Sequence, residues 1–111
     1  MRENASSDSQ LHKVLPVITA QIVKNYHPER IILFGSLVNE ETSSNDIDLF
    51  LIKDTDVKRH IDRVREIRKF LPNEIPIDLI VYTPQEVEDA LAMRSYFIED
   101  ILNEGKLLYE T

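Results

Sequence analysis

The chain has no cysteine, no tryptophan and only two glycines among its 111 residues. Without cysteine, disulfide cross-links, thiolate nucleophiles and zinc–thiolate sites are excluded. The three histidines, His12, His27 and His60, are scattered in the pattern and read as surface or boundary residues, not as metal ligands. No apolar run approaches the length of about 18 residues that a membrane-spanning helix needs. Met1 to Gln10 is rich in Ser, Asn and Asp where a signal peptide would carry an apolar segment. A cytoplasmic protein is the expectation. Positive charge is scarce as well: 13 Lys and Arg stand against 20 Asp and Glu, a net charge of −7. That sign opposes general binding to nucleic acids or anionic membranes, whose polyanionic surfaces need a basic footprint. Free nucleotides remain compatible, because a bound cation supplies positive charge locally.

What is present is concentrated in one stretch. An apolar run, Ile31-Ile32-Leu33-Phe34, ends in Gly35-Ser36, and nine residues later Asp46-Ile47-Asp48 opens a second apolar run that continues to Ile52. Side chains alternate along a strand, so Asp46 and Asp48 share one face while Ile47, Leu49 and Leu51 point the other way into a core. Two like charges on one face repel, and a purely structural strand gains nothing from them. They make sense around a divalent cation such as Mg²⁺, which takes carboxylate oxygens and leaves room for substrate phosphates. Gly35 allows a tight turn and close approach to a ligand, and Ser36 stands where a helix start would present N–H groups to an anion. The two halves read as a phosphate holder facing a metal holder.

These residues resemble the nucleotidyltransferase motif of the DNA polymerase β superfamily: Gly-Ser, a spacer of about ten, then Asp-x-Asp at the head of a strand. The resemblance implies a third carboxylate on a downstream strand, and Asp78 lies inside the other strong apolar run, Ile75 to Tyr82. It implies catalytic and metal-binding roles for Asp46, Asp48 and Asp78, phosphate binding by Gly35 and Ser36, two Mg²⁺ ions, and ATP as substrate. The chain resembles the small, stand-alone minimal nucleotidyltransferases, and the resemblance runs from roughly Tyr26 to Tyr109. Many of these act as antitoxins that transfer AMP to a Tyr of a HEPN-domain ribonuclease toxin, so the resemblance implies a HEPN-type protein partner. An antitoxin that masks its partner without chemistry is the alternative, and transfer to a small hydroxylated molecule is a third. The chain departs from the usual motif in reading Leu37-Val38-Asn39-Glu40-Glu41, with Asn39 where many relatives carry Arg.

The remaining sequence organises around these strands as one domain, with residues 1–9 a mobile polar arm and 10–111 the nucleotidyltransferase-like domain. Leu11, Val14, Leu15, Ile18, Ile22 and Tyr26 have helical spacing, with Pro16 a start or bend and His27-Pro28 the end. Strands are expected at Arg30–Phe34, about Ile47–Lys53, and Ile77–Tyr82, with a short edge strand at Lys106–Tyr109. A second Asp-x-Asp, Asp54-Thr55-Asp56, lies in a loop before a helical pattern and reads as a cap. That helix, Val57 to Leu71, carries six of the thirteen Lys and Arg. It reads as a solvated face or as a partner surface that includes Arg63 and Arg65. Thr83-Pro84-Gln85-Glu86 matches a capping box with Pro at the first helical position, a break is expected near Arg94-Ser95, and Gly105 is a helix stop. The fold class is therefore α/β (α+β): a small sheet packed with helices, mixed in strand direction by resemblance. Tyr26, Tyr82, Tyr96 and Tyr109 fit core edges, Tyr82 with the option of lining a nucleotide pocket, and Phe34 and Phe50 read as core.

Overall fold

The computed structural model describes residues 7–38 and 46–111, with residues 7–10 described for the backbone only. The described residues form helices α1 (Ser7–Tyr26), α2 (His60–Arg68), α3 (Pro84–Ala92) and α4 (Tyr96–Glu104), and strands β1 (Arg30–Phe34), β2 (Ile47–Ile52), β3 (Ile77–Tyr82) and β4 (Lys106–Glu110). The sheet runs β3-β2-β1-β4, with β2 and β3 parallel and the other neighbours antiparallel. It is a mixed sheet in a small α+β domain, as the strand pattern and the resemblance implied.

Helices cover both faces, which explains the unbroken apolar runs in β1 and β2. Ile31, Leu33, Leu49 and Leu51 pack with Leu15, Ile18 and Ile22 of α1 and Ile67 of α2. Ile32, Phe50 and Ile52 pack on the other side with Val87 of α3 and Ile98 and Ile101 of α4. Each such side chain contributes about 1.5–3 kcal/mol on leaving water. Asp48 shares the face of Phe50 and Ile52, so the α3–α4 layer stops where the carboxylates begin.

Helix boundaries follow local chemistry. Pro16 sits within α1, where its missing N–H gives up one helical hydrogen bond; α1 starts at Ser7, inside the stretch expected as an arm. His27 ends α1 with φ of 57°, and Pro28 follows. The Thr83 hydroxyl accepts from Glu86 N–H at 3.1 Å while the Glu86 carboxylate accepts from Thr83 N–H at 2.9 Å, closing the expected capping box. Arg94, at φ 62°, breaks α3 from α4, and the Ser95 hydroxyl caps α4 by accepting from Ile98 N–H at 3.3 Å. Gly105 caps the end of α4, and β4 follows at once as an edge strand.

Helix α2 departs from expectation. It begins at His60, not Val57, and its N-cap is Arg59, whose side chain makes no capping bond. Asp54 and Asp56 therefore lie in the exposed loop upstream and cap nothing at α2. The Thr55 hydroxyl accepts from Val57 N–H at 3.1 Å, a local turn that keeps this segment out of the helix. Arg63, expected on a solvated or partner-facing surface, is only 4% exposed. Its Nε donates to Val57 C=O at 2.7 Å, its Nη1 to Val81 C=O at 3.0 Å, and both terminal nitrogens to the Glu86 carboxylate at 2.7 and 3.2 Å. The fork of donors in a guanidinium is suited to such an arrangement, which ties α2, β3 and α3 together. Arg68 donates to Ile77 C=O at 2.7 Å, and His60 Nε2 accepts from Val81 N–H at 3.1 Å. Side chains of α2 thus satisfy backbone groups on the outer edge of β3, which would otherwise be open to pairing. Tyr96, expected at a core edge, is 72% exposed.

Replacing Arg63 with Met should lower unfolding stability by about 3 kcal/mol, because the Val81 carbonyl and Glu86 lose a shared partner. Replacing Arg65 with Ala, which removes an exposed 3.5 Å contact to Asp62, should change it by less than about 0.5 kcal/mol. Urea unfolding measures both; similar small effects would contradict a structural clamp at Arg63.

Candidate active site

Strand pairing assembles the candidate site from distant residues. In the parallel β2–β3 pair, Asp48 stands opposite Asp78, and in the antiparallel β1–β2 pair it stands opposite Phe34. Gly35 follows Phe34 directly, so the end of β1 and the start of both β2 and β3 meet at one margin of the sheet. Ile47 N–H donates to Pro76 C=O at 2.9 Å, which extends the pairing to the entry of β3. Asp46 precedes β2 and is exposed, Asp48 is half-buried, and Asp78 is exposed.

The Asp48 carboxyl is pushed up to about 6, first by burial, then by a hydrogen bond with Asp78 and by the charges of Asp78 and Asp46. Asp46 and Asp78, the other two carboxylates expected from sequence, are therefore both close enough to act on Asp48 electrostatically. A hydrogen bond between two carboxyl groups requires a proton on one of them. The donor set suits a hard divalent cation, which would favour the ionised Asp48 that burial and, after it, the neighbouring carboxylates disfavour. Among the described residues, no three acidic or imidazole groups already converge as a ligand set. Asp46, Asp48 and Asp78 are the residues that would hold it, and the ion would supply neutralisation of phosphate charge.

Gly35 has φ of 79°, a conformation that L side chains rarely adopt, and a Cβ there would overlap the Asp48 carboxylate. Its lack of a side chain is therefore required twice, by the backbone turn and by the close approach of Asp48. Gly35–Val38 forms a single 3₁₀ turn, shorter than the helix start expected from Gly-Ser, with Leu37 anchored in the core and Ser36 exposed. Asn39, the position that departs from the motif, lies outside the described residues.

One residue near the site was not singled out by sequence. Phe97 is 51% exposed and meets Phe34 edge to face, with ring centroids 6.0 Å apart. The crossing of α4 over the end of β1 puts it beside Gly35. Tyr82 packs against Phe50 at 5.3 Å and lines a second cavity with Ile80 and Phe97.

The folded-state value of Asp48 lies above the ordinary 3.8, so the folded chain binds more protons than the unfolded one between the two values. Its contribution to stability consequently falls as pH rises from about 4 through 6. At pH 7.5 and without divalent ions, Asp48→Asn should raise Tm by about 4 °C, about 1 kcal/mol after allowance for solvent screening. At pH 4 the difference should vanish, and Mg²⁺ should stabilise the wild type but not the variant. A pH-independent difference in thermal scans would show that Asp48 does not titrate above its ordinary range in the folded chain.

No curated protein matches the chain. A crystal structure from Sulfolobus solfataricus, of a protein provisionally assigned as a nucleotidyltransferase, superimposes with a TM-score of 0.66 at 18% identity, covering 94% of this chain and 84% of that one. At that identity the likeness speaks for the fold. The family model described as polymerase beta nucleotidyltransferase matches residues 18–111. With Gly35-Ser36, the Asp46-x-Asp48 pair and Asp78 meeting at one sheet margin inside the matched region, the chain belongs to the polymerase β nucleotidyltransferase family.

Proposed function

We propose that the protein is a Mg²⁺-dependent protein adenylyltransferase, the antitoxin of a toxin–antitoxin pair, which transfers AMP from ATP to a Tyr of a HEPN-family ribonuclease toxin. The observation that carries the chemistry is the in-register placement of Asp48 beside Asp78, with Asp46 within electrostatic reach, against the side-chain-free Gly35. The family generally works with nucleoside triphosphates and Mg²⁺. In this reading Gly35 and Ser36 hold the terminal phosphates, Asp46 and Asp48 hold the metal, and Asp78 joins them on the side where the acceptor hydroxyl approaches. The protein acceptor rests on the resemblance to minimal nucleotidyltransferases, in which a partner protein that brings its own Tyr completes the site.

The test is transfer of label from α-phosphate-labelled ATP with Mg²⁺ into a lysate of the native cell, comparing wild type with the Asp46→Asn/Asp48→Asn variant. One labelled protein band, lost in the variant and identified by mass as the toxin, is the expected result. Label in a small molecule would favour transfer to a hydroxylated metabolite, and no label above the variant would favour an antitoxin that only masks its partner. In the same assay Gly35→Ala should cut labelling by about 100-fold, because the added methyl displaces Asp48 by about an ångström. Full labelling by Gly35→Ala would separate the Gly35–Asp48 contact from the chemistry.

A further inference from the structure

Beside the carboxylates, between the end of β1 and α4, lies a cavity of about 560 Å³ lined by Phe34, Gly35, Val38, Phe97, Asp100 and Glu104 among others. Its size falls within the range of about 300–1,000 Å³ that small-molecule sites occupy. Gly35 belongs both to this cavity and to the contact with Asp48, so the cavity opens directly from the place where the phosphates would lie. The edge-to-face contact with Phe34 orients the Phe97 ring, while half of the side chain stays exposed. Asp100 and Glu104 stand one turn apart on the same face of α4. Among the described residues neither is engaged in an ion pair.

We propose that this cavity receives the base of the substrate nucleotide, with Phe97 as its stacking surface and Asp100 and Glu104 as acceptors for an amino-bearing base edge; the proposal rests on the nucleotidyltransferase reading above. An aromatic wall suits any base, since every base offers a flat π face. Two carboxylates do not suit the other end of the nucleotide: their charge repels phosphates and turns the triphosphate toward Gly35 and the metal-binding carboxylates. Ionised carboxylates only accept hydrogen bonds. They therefore favour the exocyclic amino groups of adenine, cytosine and guanine over uracil, whose edge carries two carbonyl acceptors around a single N–H. Orientation and base selectivity then arise from the same pair of side chains.

Isothermal titration calorimetry with Mg²⁺ tests this, using the α,β-methylene analogues of ATP and UTP and inorganic tripolyphosphate as probes. Phe97→Ala should weaken the ATP analogue by about tenfold while leaving tripolyphosphate within about twofold, and Phe97→Tyr should retain wild-type affinity. The Asp100→Asn/Glu104→Gln variant should lose the preference for the ATP analogue over the UTP analogue. The proposal is overturned if Phe97→Ala binds the ATP analogue like wild type, if it loses tripolyphosphate equally, or if the wild type shows no preference for the amino-bearing base. Failure of the wild type to bind any nucleoside triphosphate would instead overturn the nucleotidyltransferase reading itself.

Discussion

The site depends on the register of β2 against its two neighbours. Strand β2 is buried on both faces except at Asp48, and its pairing with β3 leaves Asp78 alongside, about one strand spacing of 4.8 Å away. A slip by one residue would turn Asp48 into the layer of Leu15 and Ile67 and bring Ile47 to the carboxylate margin. Burying an unpaired carboxylate costs far more than any neighbouring apolar contact returns. The same residue that suits the chemistry therefore also enforces the alignment, and the hydrophobic positions Ile47, Leu49 and Leu51 enforce it from the other side.

Arg63 secures the layer that supports β3. Sequence places it in a run of basic residues on a helix, a pattern typical of a solvated face. In the fold it is enclosed, with donors spent on Val57, Val81 and Glu86. The pair with Glu86 holds that carboxyl below its usual range, chiefly through the hydrogen bonds to the guanidinium, so its contribution is present near neutrality and lost on acidification. Asp48 behaves in the opposite sense. One carboxylate stabilises the fold by being paired with a cation, and the other keeps a local strain that a ligand cation can relieve, a common cost of a site placed on a stable scaffold.

Much of the fold was legible because its signals are local. The Thr83–Glu86 box, the break at Arg94-Ser95, the stop at Gly105 and the runs of β1, β2 and β3 each depend on a few adjacent residues, and the elements appear close to the expected positions. The start of α2 was not legible, since Thr55 holds Val57 in a turn and Arg63 draws on the Val57 carbonyl across six positions. No periodicity encodes such a bond. The exposure of Tyr96 and Phe97 was hidden for a similar reason: helical spacing identifies an apolar stripe but not where the opposing layer ends.

The sequence by itself determined which residues are chemically equipped for the task. Gly35-Ser36, Asp46, Asp48 and Asp78 stand at strand ends whose apolar runs announce burial, and that combination identifies the family. Tertiary structure decided which of them meet. The parallel pairing of β2 and β3 sets Asp48 against Asp78 across thirty residues of chain, the turn at Gly35 brings the end of β1 onto Asp48, and α4 adds Phe97, Asp100 and Glu104 beside them. Residue type and spacing report which groups can ionise, turn or stack; the distances between those groups are settled only when the sheet and its helices pack.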